Sequence, residues 1–201
     1  LVANWEGYEE LREKIVGDVV HYGNNNPDAD KYCRFVAESF ADYVNSRVGM
    51  RGNHYAAGLY PVTMNVTFGK FTAATPDGRR KGEPLSDGIS AVQGYDVNGP
   101  TAILGSVSNF DTSKYSNGLL LNMKFHPSAI SDDTGVAKLA SFMQTYFFNM
   151  DGMEMQLNIV SADMLRDAQM HPEGYKDLVV REGEAVYVVP ACFPNRVACG
   201  E

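Results

Sequence analysis

The residues with the most chemical potential in this chain are few and scattered. Three cysteines, Cys33, Cys192 and Cys199, are too few for a disulfide framework, and an odd count fits a reducing cytoplasm. Cys192 and Cys199 have no histidine nearby at metal-ligand spacing, so they do not read as a zinc site. Cys33 lies in KYCRFV beside an apolar helical stripe, where a small packed hydrophobe is expected rather than a nucleophile. Of the four histidines, His126 and His171 each precede a proline at an element boundary, and His21 and His54 fall in loops. No pair shows the i,i+4 spacing of a helical metal site. The one basic run, Arg79-Arg80-Lys81, reads as a solvated loop. With a net charge of −8 there is no basic stripe to neutralise phosphates, which argues against a nucleic-acid partner. No apolar stretch approaches the roughly 20 residues that span a bilayer, and the first residues lack a signal-peptide pattern.

The elements that must position any site follow from periodicity. At 201 residues, 44% hydrophobic and 21% charged, the chain has the composition of an ordinary globular domain. Tyr8–Val20 and Asp28–Asn45 read as helices; Tyr32, Phe35, Val36, Phe40 and Tyr43 give the second an apolar stripe. Thr101–Val107 reads as a short helix and Leu119–Phe125 as a buried strand. Thr134–Asn149 follows as a helix with Val136, Leu139, Ala140, Phe142, Met143 and Phe147 inward. Met153–Val160 is the next strand, and Ser161 is a good N-cap for a helix that ends at His171-Pro172. One more short segment is expected over Tyr175–Arg181. Strands alternating with helices predict an α/β arrangement, with too few strands to close a barrel alone.

Gly58–Gly88 carries the most information. Leu59–Phe68 predicts a strand from its apolar, aromatic and β-branched residues, and Thr75-Pro76-Asp77-Gly78 has turn chemistry throughout. On a strand, Thr63 and Asn65 share one face and are the nominated polar pocket residues. Asn122, Gln156 and Asn158 are amides on the later strands, where structural hydrogen bonding alone could account for them.

LYPVTMNVTFGK, ATPDGRRKGEPLSDG (Ala74–Gly88), GPTAILGSV (Gly99–Val107), LLLNMKFHPSAI (Leu119–Ile130), QLNIVS (Gln156–Ser161) and HPEGYKDLVVR (His171–Arg181) together resemble the C-terminal half of glycyl radical enzymes, the pyruvate formate-lyase and diol dehydratase superfamily. The resemblance implies an α/β fold forming a partial, half barrel of the family's ten-stranded α/β barrel. Residues 1–181 would belong to it, and 182–201 would be a divergent tail in place of the usual radical loop and closing helix, which Pro190 and Pro194 would interrupt. The chain begins at Leu1 rather than Met and reads as part of something larger.

The implied chemistry stores a radical on a backbone glycine and uses a cysteine thiyl radical against the substrate. Glycine suits the role because its Cα radical is flanked by a donating nitrogen and a withdrawing carbonyl and carries no Cβ to hinder flattening. The candidates for the radical position are Gly183, after a one-residue deletion, and Gly200. The family's Gly-Cys-Val-Glu loop is not found in this sequence. The implied reaction is a lyase step, of dehydratase or decarboxylase type, on a small polar substrate; a formate acetyltransferase-type enzyme is the alternative within the family. No bound cofactor or metal is implied beyond the protein-derived radical, which a radical S-adenosylmethionine activating enzyme would install. The expected partners are that enzyme, the substrate, and either the missing N-terminal half of the barrel or another copy of the chain. A non-catalytic truncated or spare-part protein and an unrelated α/β binding module are the competing readings.

Overall fold

The computed structural model describes residues 4–60, 64–175, 179–182 and 185–188. Two helices open it, α1 (Glu9–Asp18) and α2 (Pro27–Asn45). The start of α2 is encoded locally: the Asn26 side chain accepts a hydrogen bond from the Asp28 amide, and Pro27 occupies the first turn, where no intrahelical donor is needed. Next come α3 (Met64–Phe71) and α4 (Pro100–Val107), separated by a long irregular segment. A βαβ unit follows: β1 (Leu120–Phe125), α5 (Asp133–Gln144) and β2 (Glu154–Ile159). Then come α6 (Ala162–Met170) and the antiparallel pair β3 (Val179–Glu182) and β4 (Ala185–Val188).

Strands β1 and β2 are parallel, with Leu120 opposite Glu154 and Phe125 opposite Ile159. The other edge of β1 is covered by loop rather than strand. Leu59 makes a parallel bridge to Leu119, the Ile89 amide donates to the Leu120 carbonyl at 3.0 Å, and the Ser90 hydroxyl accepts from the Asn122 amide at 2.9 Å. The core gathers Ile103, Leu104 and Val107 of α4, Leu121 and Met123 of β1, Ala37 and Ala41 of α2, and Phe110, Tyr115 and Tyr146. No helix among the described residues is long and apolar enough to cross a membrane.

The helices predicted at Tyr8–Val20, Asp28–Asn45 and Thr101–Val107 form within a few residues of their expected bounds, as do both parallel strands. Ser161 caps α6, its hydroxyl accepting from the Met164 amide at 3.0 Å. The predicted helix Thr134–Asn149 ends in a π-helical turn, Thr145–Asn149, and two of its expected inward residues, Val136 and Ala140, are exposed. The expected segment at Tyr175–Arg181 divides into a 3-10 turn, Pro172–Tyr175, and the beginning of β3.

The strand predicted over Leu59–Phe68 does not form. Leu59 makes a single bridge, and the chain is helical from Met64. Tertiary contact overrides β-propensity here. Gly69 gives α3 a surface without a side chain, which lets the backbone of Glu83 and Pro84 lie directly against it, and the Asn65 carbonyl accepts from the Leu85 amide at 3.1 Å. The mixed α/β class holds, with two parallel strands and a separate antiparallel pair among the described residues.

Candidate active site

Register and pleat divide the β1–β2 sheet into two unlike faces. Parallel partners point the same way, so Leu121, Met123 and Phe125 share a face with Met155, Leu157 and Ile159. That face is apolar and packs on the core except at Ile159, which is 38% exposed. The opposite face carries Leu120, Asn122 and Lys124 beside Glu154, Gln156 and Asn158. Parallel sheets are normally covered by apolar layers on both sides. A row of amides on a parallel sheet is therefore a departure that demands polar surroundings.

Those surroundings are a cavity of about 770 Å³, whose walls include Asn65, Arg79, Ser86, Ser90, Asn122 and Asn158. Asn65 is 4% exposed and Asn158 6%. Both side-chain amide atoms of Asn122 are buried with no hydrogen-bond partner among the described residues, and so is Oε1 of its neighbour Gln156, whose Nε2 donates to Glu154 at 3.2 Å. A buried carboxamide lacking partners costs about 1–3 kcal/mol. Replacing Asn122 with leucine is therefore expected to raise the unfolding free energy of this chain by about 1 kcal/mol in urea titrations. A loss of stability would mean that an ordered water or another group satisfies the amide.

Arg79 forms another wall and corrects the expectation of a solvated basic run. It is 6% exposed. Its two terminal nitrogens donate to five main-chain carbonyls: Gly69 at 3.5 Å, Arg80 at 3.0 Å, Glu83 at 2.7 Å, Thr72 at 3.2 Å and Ala73 at 2.5 Å. Its own carbonyl accepts from the Trp5 indole at 3.2 Å. One guanidinium thus organises the turn between α3 and the sheet. The only sequence signal for this was an arginine directly following the TPDG turn.

Cys33 is half-buried in a second cavity, of about 240 Å³, beside Tyr22, Ala37 and Phe110. Burial, with a smaller contribution from Asp30, pushes its thiol up to about 11. It is a neutral thiol at physiological pH, as expected of a packing residue. Three of the four histidines serve local structure: His21 stacks on Tyr95 at 4.2 Å, His126 caps the turn at Ser128, and His171 contacts Asp167 at 3.0 Å. No group of three or more metal-ligating side chains occurs among the described residues. Of the nominated site residues, Asn65 reaches the cavity from a helix rather than a strand. Thr63, Gly183, Gly200, Cys192 and Cys199 lie outside the described residues.

Comparison with known proteins gives this arrangement a lineage. A family profile described as "Glycine radical" matches residues 85–182, and one described as "Pyruvate formate lyase-like" matches residues 1–69. The chain is 36% identical over 181 residues to trans-4-hydroxy-L-proline dehydratase of Clostridioides difficile, covering 90% of this chain and 23% of that protein. It is 37% identical to (2S)-3-sulfopropanediol dehydratase of Klebsiella oxytoca, over 92% of this chain and 23% of that one. Among solved structures, the glycerol-bound B12-independent glycerol dehydratase of Clostridium butyricum superposes with a TM-score of 0.87 at 39% identity, over 93% of this chain and 24% of that one. The chain thus spans about a quarter of the length of the relatives it matches. By the two profiles and the breadth of these matches, the chain belongs to the glycyl radical enzyme superfamily.

Proposed function

We propose that this chain supplies one wall of the reaction chamber of a glycyl radical lyase of dehydratase type, acting on a small polar substrate. The observation that carries the reading is the pairing of a dehydratase-like sequence with an amide-lined face on a parallel sheet, where packing alone calls for apolar residues. The β1–β2 unit is then part of a half barrel, with its polar face toward the chamber. Asn65, and Thr63 just before α3, contact the substrate.

Gly183 is the radical position, with Gly200 as the second candidate. A radical S-adenosylmethionine activating enzyme removes one of the glycine's α-hydrogens. The attacking cysteine comes from the part of the family's length that this sequence does not span. The glycyl radical takes the hydrogen atom of that cysteine's thiol, restoring the glycine, and the thiyl radical so formed takes a hydrogen atom from a substrate carbon. The neighbouring carbon loses its hydroxyl with a proton as water, and the product radical recovers the hydrogen from the thiol.

The test is anaerobic reconstitution of the chain with a polypeptide carrying the cysteine loop of a relative, followed by activation. Water elimination from a vicinal diol is expected and should disappear with Gly183→Ala. No turnover in a folded, activated pair would overturn the reading.

A second reading is favoured by where the family match stops. The glycine-radical profile ends at Glu182, one residue short of Gly183 and well short of Gly200. In that reading the chain packs with its partner but holds no radical.

A further inference from the structure

Asp30 is a carboxyl group placed where a charge is costly. It sits in the first turn of α2 and is 3% exposed. Its Oδ1 is buried with no hydrogen-bond partner among the described residues, and its Oδ2 lies 3.4 Å from the Asn109 side-chain nitrogen, a long bond. Neighbouring cations are engaged elsewhere: Lys31 pairs with Asp28 and Arg34 with Glu38. A buried carboxylate is normally paired or gives up its charge.

The group that does face Asp30 ties it to the polar cavity. Ser106, on α4, is 1% exposed and hydrogen-bonds the Asp30 carboxyl. Its oxygen meanwhile accepts from the Gly23 amide at 3.2 Å and the Asn25 amide at 2.9 Å. With both lone pairs so occupied, the Ser106 hydroxyl proton is left for Asp30. The loop 21–25 seated on this hydroxyl in turn holds the segment 91–98. Asn24 donates to the Tyr95 carbonyl at 2.7 Å and accepts from the Asn98 amide at 3.0 Å, and the His21 ring stacks on Tyr95. Gly23 has a φ of +97° and leaves no room for a Cβ against Ala91. Ala91, Gln93, Tyr95 and Asp96 all line the cavity.

We propose that Asp30 is a proton-operated clamp, which seats the loop 21–25 and, through it, the cavity-wall segment 91–98 while its carboxyl is protonated, and loosens both when it ionises. The other titratable groups beside it are Tyr22, before α2, and Cys33, one turn further along α2. Burial keeps both protonated and neutral at physiological pH, so neither compensates a charge on Asp30. From α4 and its end come only the neutral Ser106 and Asn109. Burial raises the Asp30 carboxyl from its ordinary value, against the smaller pull of the Ser106 bond. The positive end of α2 also pulls the other way, by less than burial. The folded chain thus holds this proton more tightly than the unfolded chain. The stability Asp30 contributes is complete below about pH 4, its unfolded value, and is lost as pH rises through the folded one. An ionised Asp30 relieves its burial by drawing the first turn of α2 away from α4, and Ser106 passes the shift to the loop 21–25 and the wall. The clamp does not depend on which molecule the cavity takes.

The experiment compares the chain with Asp30→Asn, whose amide has the shape of the protonated acid, in urea titrations from about pH 4 to about pH 8. The unfolding constant of the parent relative to the variant should rise by up to about tenfold per pH unit, then level off once Asp30 is ionised in the folded state. A ratio that falls with pH, or stays flat, would overturn the proposal. Carbon-13 NMR of the Asp30 carboxyl in the parent chain asks the same without a substitution. A midpoint clearly above the ordinary Asp value is expected, and one at or below about 4 would overturn the clamp. Hydrogen exchange, corrected for its intrinsic pH dependence, reads the wall through the Tyr95 and Asn98 amides, which bond Val92 and Asn24. At about pH 8 the parent should exchange there about threefold or more faster than Asp30→Asn. Equal protection in the two chains would confine the effect to α2 and overturn the link to the cavity.

Discussion

Replacing Arg79 with methionine is expected to cost about 3 kcal/mol of unfolding free energy. Two effects compete. A buried guanidinium with no carboxylate partner among the described ion pairs is costly to desolvate, and removing it relieves that cost. Against this, its terminal nitrogens bond five main-chain carbonyls, which methionine would leave without their donor. The four terminal N–H groups are shared among the five carbonyls, Gly69 lying at the 3.5 Å limit, and the buried Nε has no partner among the described residues. Bonds from a charged donor contribute about 1.5–3 kcal/mol each before desolvation is charged against them, so four still outweigh one buried charge. In a domain of this size the loss lowers the melting temperature by roughly 6–12 °C. Lysine is not a conservative rescue, because a single ammonium has three donors and lacks the planar fork that reaches both sets of carbonyls. Arg79→Lys should recover less than half of the loss. Urea unfolding measures both variants, and limited proteolysis between Thr72 and Ser86 should speed up in parallel. A methionine variant as stable as the parent would contradict the role assigned to Arg79.

Gly69→Ala separates helix propensity from packing even more cleanly. Gly69 is inside α3, so propensity alone predicts a gain of about 1 kcal/mol on substitution by alanine. The added methyl would overlap the Glu83 carbonyl oxygen and lie 2.8 Å from Cα of Pro84. Both obstacles are backbone, so the whole segment must move rather than a side-chain end. Overpacking of this kind costs about 1–3 kcal/mol, and the displaced segment also supplies the Glu83 carbonyl bound by Arg79. The net expectation is a loss of about 2 kcal/mol, read as a lower urea midpoint with an unchanged slope. A stability gain would show that α3 and the Glu83–Pro84 segment are not in the contact described.

These two residues also mark the limit of what could be read without coordinates. Elements set by local chemistry were legible: α2 forms close to the expected Asp28–Asn45, Ser161 opens α6, and the apolar start of Leu119–Phe125 became a buried strand. Legible too were the amides Asn122, Gln156 and Asn158, although not that register would align them on one face beside Asn65. The strand expected at Leu59–Phe68 failed because β-branched residues carry only a weak local preference, while the fit of Gly69 against Glu83–Pro84 is non-local. Arg79 was misread for a related reason: a basic run looks solvated unless the carbonyls that will surround it are known. The stripe on α2 was visible as periodicity, but its direction was not. Periodicity says that one face is to be covered; it does not say by which body. Here α2 carries a bare apolar stripe, while the sheet's apolar face is packed except at its Ile159 end.

The most direct measurement is electron paramagnetic resonance on the chain after anaerobic incubation with a radical S-adenosylmethionine activating enzyme. A doublet is expected, split by the one α-hydrogen left on the radical carbon. It should vanish with Gly183→Ala and persist with Gly200→Ala. A silent spectrum from a chain that an active activating enzyme demonstrably binds, or a doublet that survives Gly183→Ala, would contradict the assignment.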